Sequence, residues 1–148
     1  SDLLYETAML AERLNDLELM ESRLRRVIEL KPDHAHAYNA LGYSLADRKL
    51  RLDEAETLVA RALELSPDDP FILDSMGWIH YRLGNPVKAL EFLRRAYRIN
   101  SDAEIAAHLS EVLWVSGQRE EARRIWRAGL SKQPDSRHLR ELQQRFGW

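Results

Sequence analysis

The side chains that could do acid–base, nucleophilic or metal chemistry are scattered along this chain. It contains no cysteine and 5 histidines. His34 and His36 are the one closely spaced pair, but residues two apart do not share a helix face. Their place after Pro32 favours a turn and a helix start. The other histidines are isolated in the sequence: His80, His108 and His138. Neither a Gly-rich phosphate loop nor a nucleophile elbow is present. The sequence therefore predicts no catalytic site, metal or cofactor.

The elements that would position any site are set by a pattern that returns about every 34 residues. The clearest copy reads Tyr38-x2-Leu41-Gly42-x2-Leu45, then Ala55-x3-Val59-x2-Ala62, then Pro67. Related copies begin at Leu4, Leu73 and Ala106. Each copy holds two amphipathic segments with apolar residues at helical spacing. The pattern predicts an all-α protein made of paired helices.

This pattern resembles the tetratricopeptide repeat and covers residues 1–136. The resemblance implies a right-handed solenoid of four helix-turn-helix repeats, forming one domain over residues 1–148. Its expected divisions are repeats 1–34, 35–69, 70–102 and 103–136, with a capping helix at 136–146. The cap is expected because Leu139, Leu142 and Phe146 form one apolar stripe, and a solenoid end needs one polar face.

Two details refine the expected helix pairs. Gly42 and Gly77 occupy the first helices where a partner helix must approach closely, since a helical glycine otherwise costs about 1 kcal/mol. The unit lengths are 34, 35, 33 and 34 residues. The added residue falls within 49–52, between two helices, and the missing one falls near 100–102. Length changes are tolerated in connections.

In the family that the chain resembles, the first helix of each repeat lines a concave groove. The residues at the groove positions include Asn39, Tyr43, Asp74, Trp78, Tyr81, Arg82, Glu111 and Trp114. Aromatic side chains dominate binding hot spots. The groove should bind an extended or helical peptide through apolar anchors and a basic residue, with Trp78 and Tyr81 at its centre. The alternative is that some of these rings fill the seams between repeats.

Charge is unevenly distributed along the chain. Residues 1–74 carry 9 Lys and Arg against 16 Asp and Glu, whereas residues 75–148 carry 13 against 8. Second helices hold many of the arginines: Arg94, Arg95, Arg98, Arg123, Arg124 and Arg127. They would form a basic outer surface, or they pair with Glu91, Glu120 and Glu121. Pairing is favoured and no nucleic-acid partner is expected, because nucleic-acid binders are usually more basic.

The stretches 73–84 and 104–114 are similar to the C-terminal repeats of large proteobacterial outer-membrane lipoproteins of this family. That resemblance implies a scaffold at the periplasmic face of the outer membrane, recruiting a processing protease or its substrate. We expect the chain to be part of a longer protein that carries the lipid anchor outside it. No apolar run reaches the ~20 residues that cross a bilayer. The alternatives are a self-assembly module and a cytoplasmic regulatory scaffold.

Overall fold

The computed structural model describes residues 2–148, and these residues form nine helices and no strand. In chain order the helices are α1 (Asp2–Arg13), α2 (Leu17–Leu30), α3 (Ala35–Asp47), α4 (Leu52–Leu65), α5 (Pro70–Arg82), α6 (Pro86–Ile99), α7 (Ala103–Val115), α8 (Arg119–Lys132) and α9 (Arg137–Phe146). The predicted all-α class and repeated helix pairs are confirmed. Within 2–148, no helix combines the length and the apolar character that crossing a membrane requires.

The connections follow the irregular repeat lengths. The turn between α3 and α4 has one residue more than the other turns inside helix pairs, and Lys49 and Arg51 adopt positive φ there. The link between α6 and α7 has one residue fewer than the other links between pairs. Gly84 ends one turn at φ 83°, and Asn85 caps α6 through its side chain before Pro86. The predicted positions of both length changes are confirmed.

Close helix crossing explains the glycines of the first helices. A Cβ added to Gly77 would lie 2.7 Å from Cγ of Leu93 and 3.1 Å from the carbonyl oxygen of Ala89, both on α6. A methyl group at Gly42 would meet Val59 and the backbone of Ala55 in the same way. Since nothing larger than hydrogen fits, these glycines serve close packing, as predicted.

The helices form two compact units, residues 1–68 and 69–148, divided between the second and third repeats. Leu24, Leu41 and Leu45 are fully buried in the first unit. Ile79 and Leu93 are fully buried in the second. The prediction of one domain over residues 1–148 stays a prediction.

The last helix closes the second unit. α9 packs against α7 and α8, and it buries Leu139 and Leu142. The indole nitrogen of Trp126 donates a hydrogen bond to the carbonyl oxygen of Leu139 at 2.7 Å. Gly129 makes room for this approach, because an added Cβ would lie 2.8 Å from Leu139 Cδ1. A helix that buries its apolar stripe therefore lies where the sequence predicts the cap.

Candidate functional site

In the second unit, α5 and α7 are the first helices of the third and fourth repeats, and they pack against each other. The helix α9 also packs against α7. Six predicted groove residues lie on α5 and α7: Asp74, Trp78, Tyr81, Arg82, Glu111 and Trp114. The other two, Asn39 and Tyr43, lie half-buried on α3 of the first unit. The side-chain oxygen of Asn39 is buried without a hydrogen-bond partner. The structure thus gathers most of the predicted site within residues 69–148.

A buried ion pair joins α5 to α7. Nδ1 of His108 lies 2.9 Å from Oδ1 and 3.0 Å from Oδ2 of Asp74, and both side chains are buried. Burial by itself lowers the pKa of His108, but the charge of Asp74 and its hydrogen bond outweigh burial and raise it. The charge of Asp74 is therefore balanced inside the protein.

Trp78 covers this pair instead of projecting into solvent. It is 4 % exposed, and its ring stacks on His108 with centroids 4.2 Å apart. The guanidinium carbon of Arg82 lies 4.8 Å from the Trp78 ring centroid. The ring centroid of Tyr81 lies 5.0 Å from that of Trp78. Trp78 forms the floor of the site, and the half-buried Tyr81 stands beside it.

Glu111 is held by residues on both neighbouring helices. It is 5 % exposed, and its Oε1 accepts a hydrogen bond from Nη1 of Arg145 at 3.0 Å. Its carboxylate also interacts electrostatically with the hydroxyl of Tyr81. Burial, followed by the negative charge of Glu111, raises the pKa of Tyr81 to about 12. The second predicted carboxylate is consequently balanced as well.

An aromatic cluster continues the site toward the C-terminal end of α7. The ring centroid of Trp114 lies 5.0 Å from that of Trp148 and 5.6 Å from that of Phe146. The guanidinium carbons of Arg119 and Arg123 lie 4.8 and 5.2 Å from the Trp114 ring centroid, within cation–π range. We call Tyr81, Glu111, Arg145, Trp114, Phe146 and Trp148 together the α5–α7–α9 face.

One group of side chains has a geometry that could hold a metal ion. Asp74, Glu104 and His108 each place one potential ligand atom within 4.8 Å of the others. Glu104 and His108 are four residues apart on α7, so they share a helix face. Both oxygens of Asp74 already lie within hydrogen-bond distance of the histidine nitrogen.

Several residues of this site were missed from the sequence. The prediction that His108 is isolated is wrong, because it pairs with Asp74 34 positions earlier. Glu111 and Arg145 are also 34 positions apart. This separation is one repeat length, so opposite charges at equivalent places in successive repeats meet. A search for such pairs would have found His108 and Arg145.

The arginines predicted on an outer surface divide into two groups. Arg94 on α6 donates to both carboxylate oxygens of Glu121 on α8, and Arg124 lies 3.7 Å from the same carboxylate. This pairing lowers the pKa of Glu121, chiefly through the Arg94 hydrogen bond. Arg123 differs from the prediction, because it contacts Trp114. Pairing thus accounts for Arg94 and Arg124 but leaves Arg123 on the aromatic cluster.

Comparison with known families finds two models, each described as a tetratricopeptide repeat. One matches residues 33–102 and the other residues 80–146. Together they span three of the four predicted repeats and the capping helix. The tetratricopeptide repeats predicted from the sequence are therefore confirmed within residues 33–146.

Several proteins described as TPR proteins are similar to this chain. The chain is 55 % identical over 110 residues to TPR repeat-containing protein PA4667 of Pseudomonas aeruginosa. That match covers 74 % of this chain but 19 % of the relative. The thermophilic TPR protein TTC0263 of Thermus thermophilus has a TM-score of 0.81 at 21 % identity, covering 93 % of this chain and 76 % of that one. YrrB, described as a TPR protein with an unusual peptide-binding site, has a TM-score of 0.66 at 24 % identity, covering 88 % and 68 %. At these identities the two structures show the fold alone.

Proposed function

We propose that this chain, which belongs to the tetratricopeptide-repeat family, is a non-catalytic scaffold that binds a segment of a partner protein on the α5–α7–α9 face. The observation that carries the proposal is the cluster of partly accessible rings formed by Trp114, Phe146 and Trp148. Trp, Tyr and Arg are the residue types enriched in binding hot spots. The peptide-binding site named for YrrB supports this choice for a protein of the same fold.

The helices provide a firm base for such binding. The Asp74–His108 pair ties α5 to α7, and the Glu111–Arg145 pair ties α7 to α9. The rings of Trp114 and Phe146 lie on helices. Side chains positioned in this way lose less conformational freedom when a partner binds, so less of the interaction energy is lost to ordering. A bound segment would contact Tyr81 and Trp114 while the pairs beneath keep the helices in place.

Capture from a bacterial envelope extract tests the proposal. Immobilised chain should retain a partner that is lost with Tyr81→Ala or Trp114→Ala and kept with Arg95→Ala. Arg95 is an exposed residue of α6, away from the α5–α7–α9 face. The helical circular dichroism of each variant should match that of the parent. Equal retention by all variants would rule out this face as the binding surface.

A more specific proposal is that the scaffold works at the periplasmic face of the outer membrane and recruits a processing protease or its substrate. Its support is the resemblance of residues 73–84 and 104–114 to repeats of outer-membrane lipoproteins. Mass spectrometry of the captured material would identify a protease, and fractionation of cells that carry the full-length protein would locate it. A cytoplasmic location would remove this proposal and leave the peptide-binding proposal intact.

Self-assembly is the second candidate function, and α1 carries the observation in its favour. Leu3, Leu10 and Leu14 are 76, 47 and 72 % exposed. Apolar residues at this spacing approximate one helix stripe and can pack against another helix. Light scattering after size-exclusion chromatography measures the mass directly. A dimer that Leu10→Glu and Leu14→Glu dissociate would support self-assembly, and a monomer at high concentration would exclude it.

A further inference from the structure

We infer that the segment bound by the α5–α7–α9 face is acidic, with carboxylates placed beside apolar anchors, an inference that rests on the proposed function. The site of carboxylate recognition is the pair Arg119 and Arg123 over Trp114. This specificity is opposite to the basic residue expected from the sequence.

The two carboxylates predicted to attract a basic ligand, Asp74 and Glu111, already have partners within the protein. Asp74 is paired with His108 within the core, and Glu111 is paired with Arg145. A basic ligand side chain would have to displace one of these partners, leaving a buried histidine or an exposed arginine without its counter-ion. Breaking a buried pair is strongly unfavourable. The carboxylates therefore position helices and leave little charge to attract a cation.

The two arginines over Trp114 have no such counter-ion, unlike Arg145, which is paired with Glu111. Arg119 and Arg123 are exposed, and neither forms an ion pair with another side chain of residues 2–148. Both guanidinium groups lie near the same ring, that of Trp114. Two cations beside one ring raise the local positive potential, which a carboxylate on a ligand would relieve.

The geometry of a guanidinium suits this task. An arginine can contact an aromatic ring while its N–H groups bind a carboxylate through two parallel hydrogen bonds. Because the Trp114 ring orders Arg119 and Arg123, less side-chain freedom is lost on binding. Phe146 and Trp148, next to Trp114, provide apolar surface for an adjacent ligand side chain. The arrangement therefore matches a short sequence that alternates acidic and apolar residues.

A peptide fits this charge balance better than a nucleic acid. Residues 69–148 hold 13 Lys and Arg against 10 Asp and Glu. Nucleic-acid-binding domains are usually far more basic and release many counter-ions on binding. Two arginines on one ring suffice for one or two carboxylates.

A phage-displayed library of random dodecapeptides, selected on the immobilised chain, tests the inference without a known partner. We expect the enriched peptides to be net negative and to contain aromatic or large aliphatic residues. Resynthesised peptides should lose at least tenfold in affinity, by fluorescence anisotropy, with the Arg119→Glu/Arg123→Glu double variant. The matched control, Arg95→Glu/Arg98→Glu, makes the same charge change at exposed positions of α6 and should leave affinity within twofold.

The outcomes separate the two levels of the proposal. Failure to enrich any peptide above the uncoated support would overturn the proposed function. Enrichment of neutral or basic peptides that depend on Tyr81 and Trp114 would keep the function and overturn the acidic specificity. Acidic peptides that bind both double variants equally well would overturn the assignment to Arg119 and Arg123. Tighter binding of a single-stranded oligonucleotide through these arginines would overturn the choice of ligand class.

Discussion

Nδ1 of His108 lies 2.9 Å from Oδ1 of Asp74, although the residues are 34 positions apart on different helices. The Trp78 ring covers the pair, and both members are buried. In such surroundings, neutralising or removing one member leaves the other charge uncompensated. The stability that this pair gives to the packing of α5 on α7 should therefore depend on pH.

We expect the contribution of His108 to stability to fall as pH rises. Its pKa in the folded state is raised above the ordinary 6.5, so its contribution is complete below pH 6.5 and is lost through the raised pKa. The difference in unfolding free energy between the parent and His108→Gln should therefore shrink as pH rises above 6.5 and through the raised pKa. Urea denaturation at several pH values measures it.

Asp74→Asn is the matched control for this titration. Without the carboxylate, the pKa of His108 loses its main upward cause and burial lowers it. The variant should be destabilised by about 3 kcal/mol near neutral pH, the low end for breaking a buried pair. A stability difference between the parent and His108→Gln that does not change as pH rises above 6.5 would contradict the assigned ion pair.

A zinc titration distinguishes the ion pair from a metal site. Since both Asp74 oxygens lie within 3.0 Å of the histidine nitrogen, the carboxylate already has its partner. We expect neither zinc nor a chelator to change the melting temperature or the fluorescence of Trp78, which stacks on His108. Saturable binding of zinc that Glu104→Gln abolishes would contradict this prediction.

Gly77→Leu should destabilise the second unit by about 1–3 kcal/mol or more, because it overfills a close helix crossing. The added Cβ alone would lie 2.7 Å from Leu93 Cγ. Thermal denaturation followed by circular dichroism measures the loss. A leucine variant as stable as the parent would show that the crossing can open freely.

A double-mutant cycle with Gly77→Ala and Leu93→Ala tests the same contact more directly. Leu93→Ala removes the side chain that the new methyl group would meet, so Gly77→Ala should cost less in that background. Residues in contact typically depart from additivity by about 0.5–3 kcal/mol, and we expect a coupling energy in this range. Strict additivity would place the strain elsewhere, such as at the carbonyl oxygen of Ala89.

Removing α9 should expose the apolar end of the second unit. Deletion of residues 136–148 uncovers the surface of α7 and α8 on which Leu139 packs, so we expect aggregation. Leu139→Ala, a milder change, should cost about 2–5 kcal/mol, whereas exposed Gln144→Ala should cost less than about 0.5 kcal/mol. Unchanged solubility and melting after the deletion would remove the cap assignment.

Trp78 and Tyr81 should respond differently to truncation. Because Trp78 is 4 % exposed, Trp78→Ala should cost about 3–5 kcal/mol of stability and reduce binding indirectly. Tyr81→Ala should reduce partner capture with a smaller loss of stability, since Tyr81 is half-buried. Parallel denaturation and capture measurements compare them. Capture lost in Trp78→Ala at parental stability would restore Trp78 as a direct contact.

The sequence alone determined the helix pairs and the connections of altered length. These depend on local signals. They are the spacing of apolar residues, the Gly84-Asn85-Pro86 sequence that separates α5 from α6, and the glycines where helices cross. Such signals act over one or two helical turns, so they can be read without knowing which helix packs on which. The helix α9 at the predicted cap belongs to the same class, because its apolar stripe is visible within the helix itself.

Only the tertiary structure decided which charges are available to a partner. From the sequence, Asp74 and Glu111 were candidate ligands for a basic residue, and Arg123 belonged to an outer surface. Their packing pairs the two carboxylates across neighbouring helices and places Arg123 over Trp114. The physical reason is that a charge is compensated only if an opposite charge lies within a few ångströms of it. Such partners lie on different helices and are often a whole repeat apart in the sequence. Burial then determines whether the resulting pair remains accessible, and neither quantity is contained in local spacing.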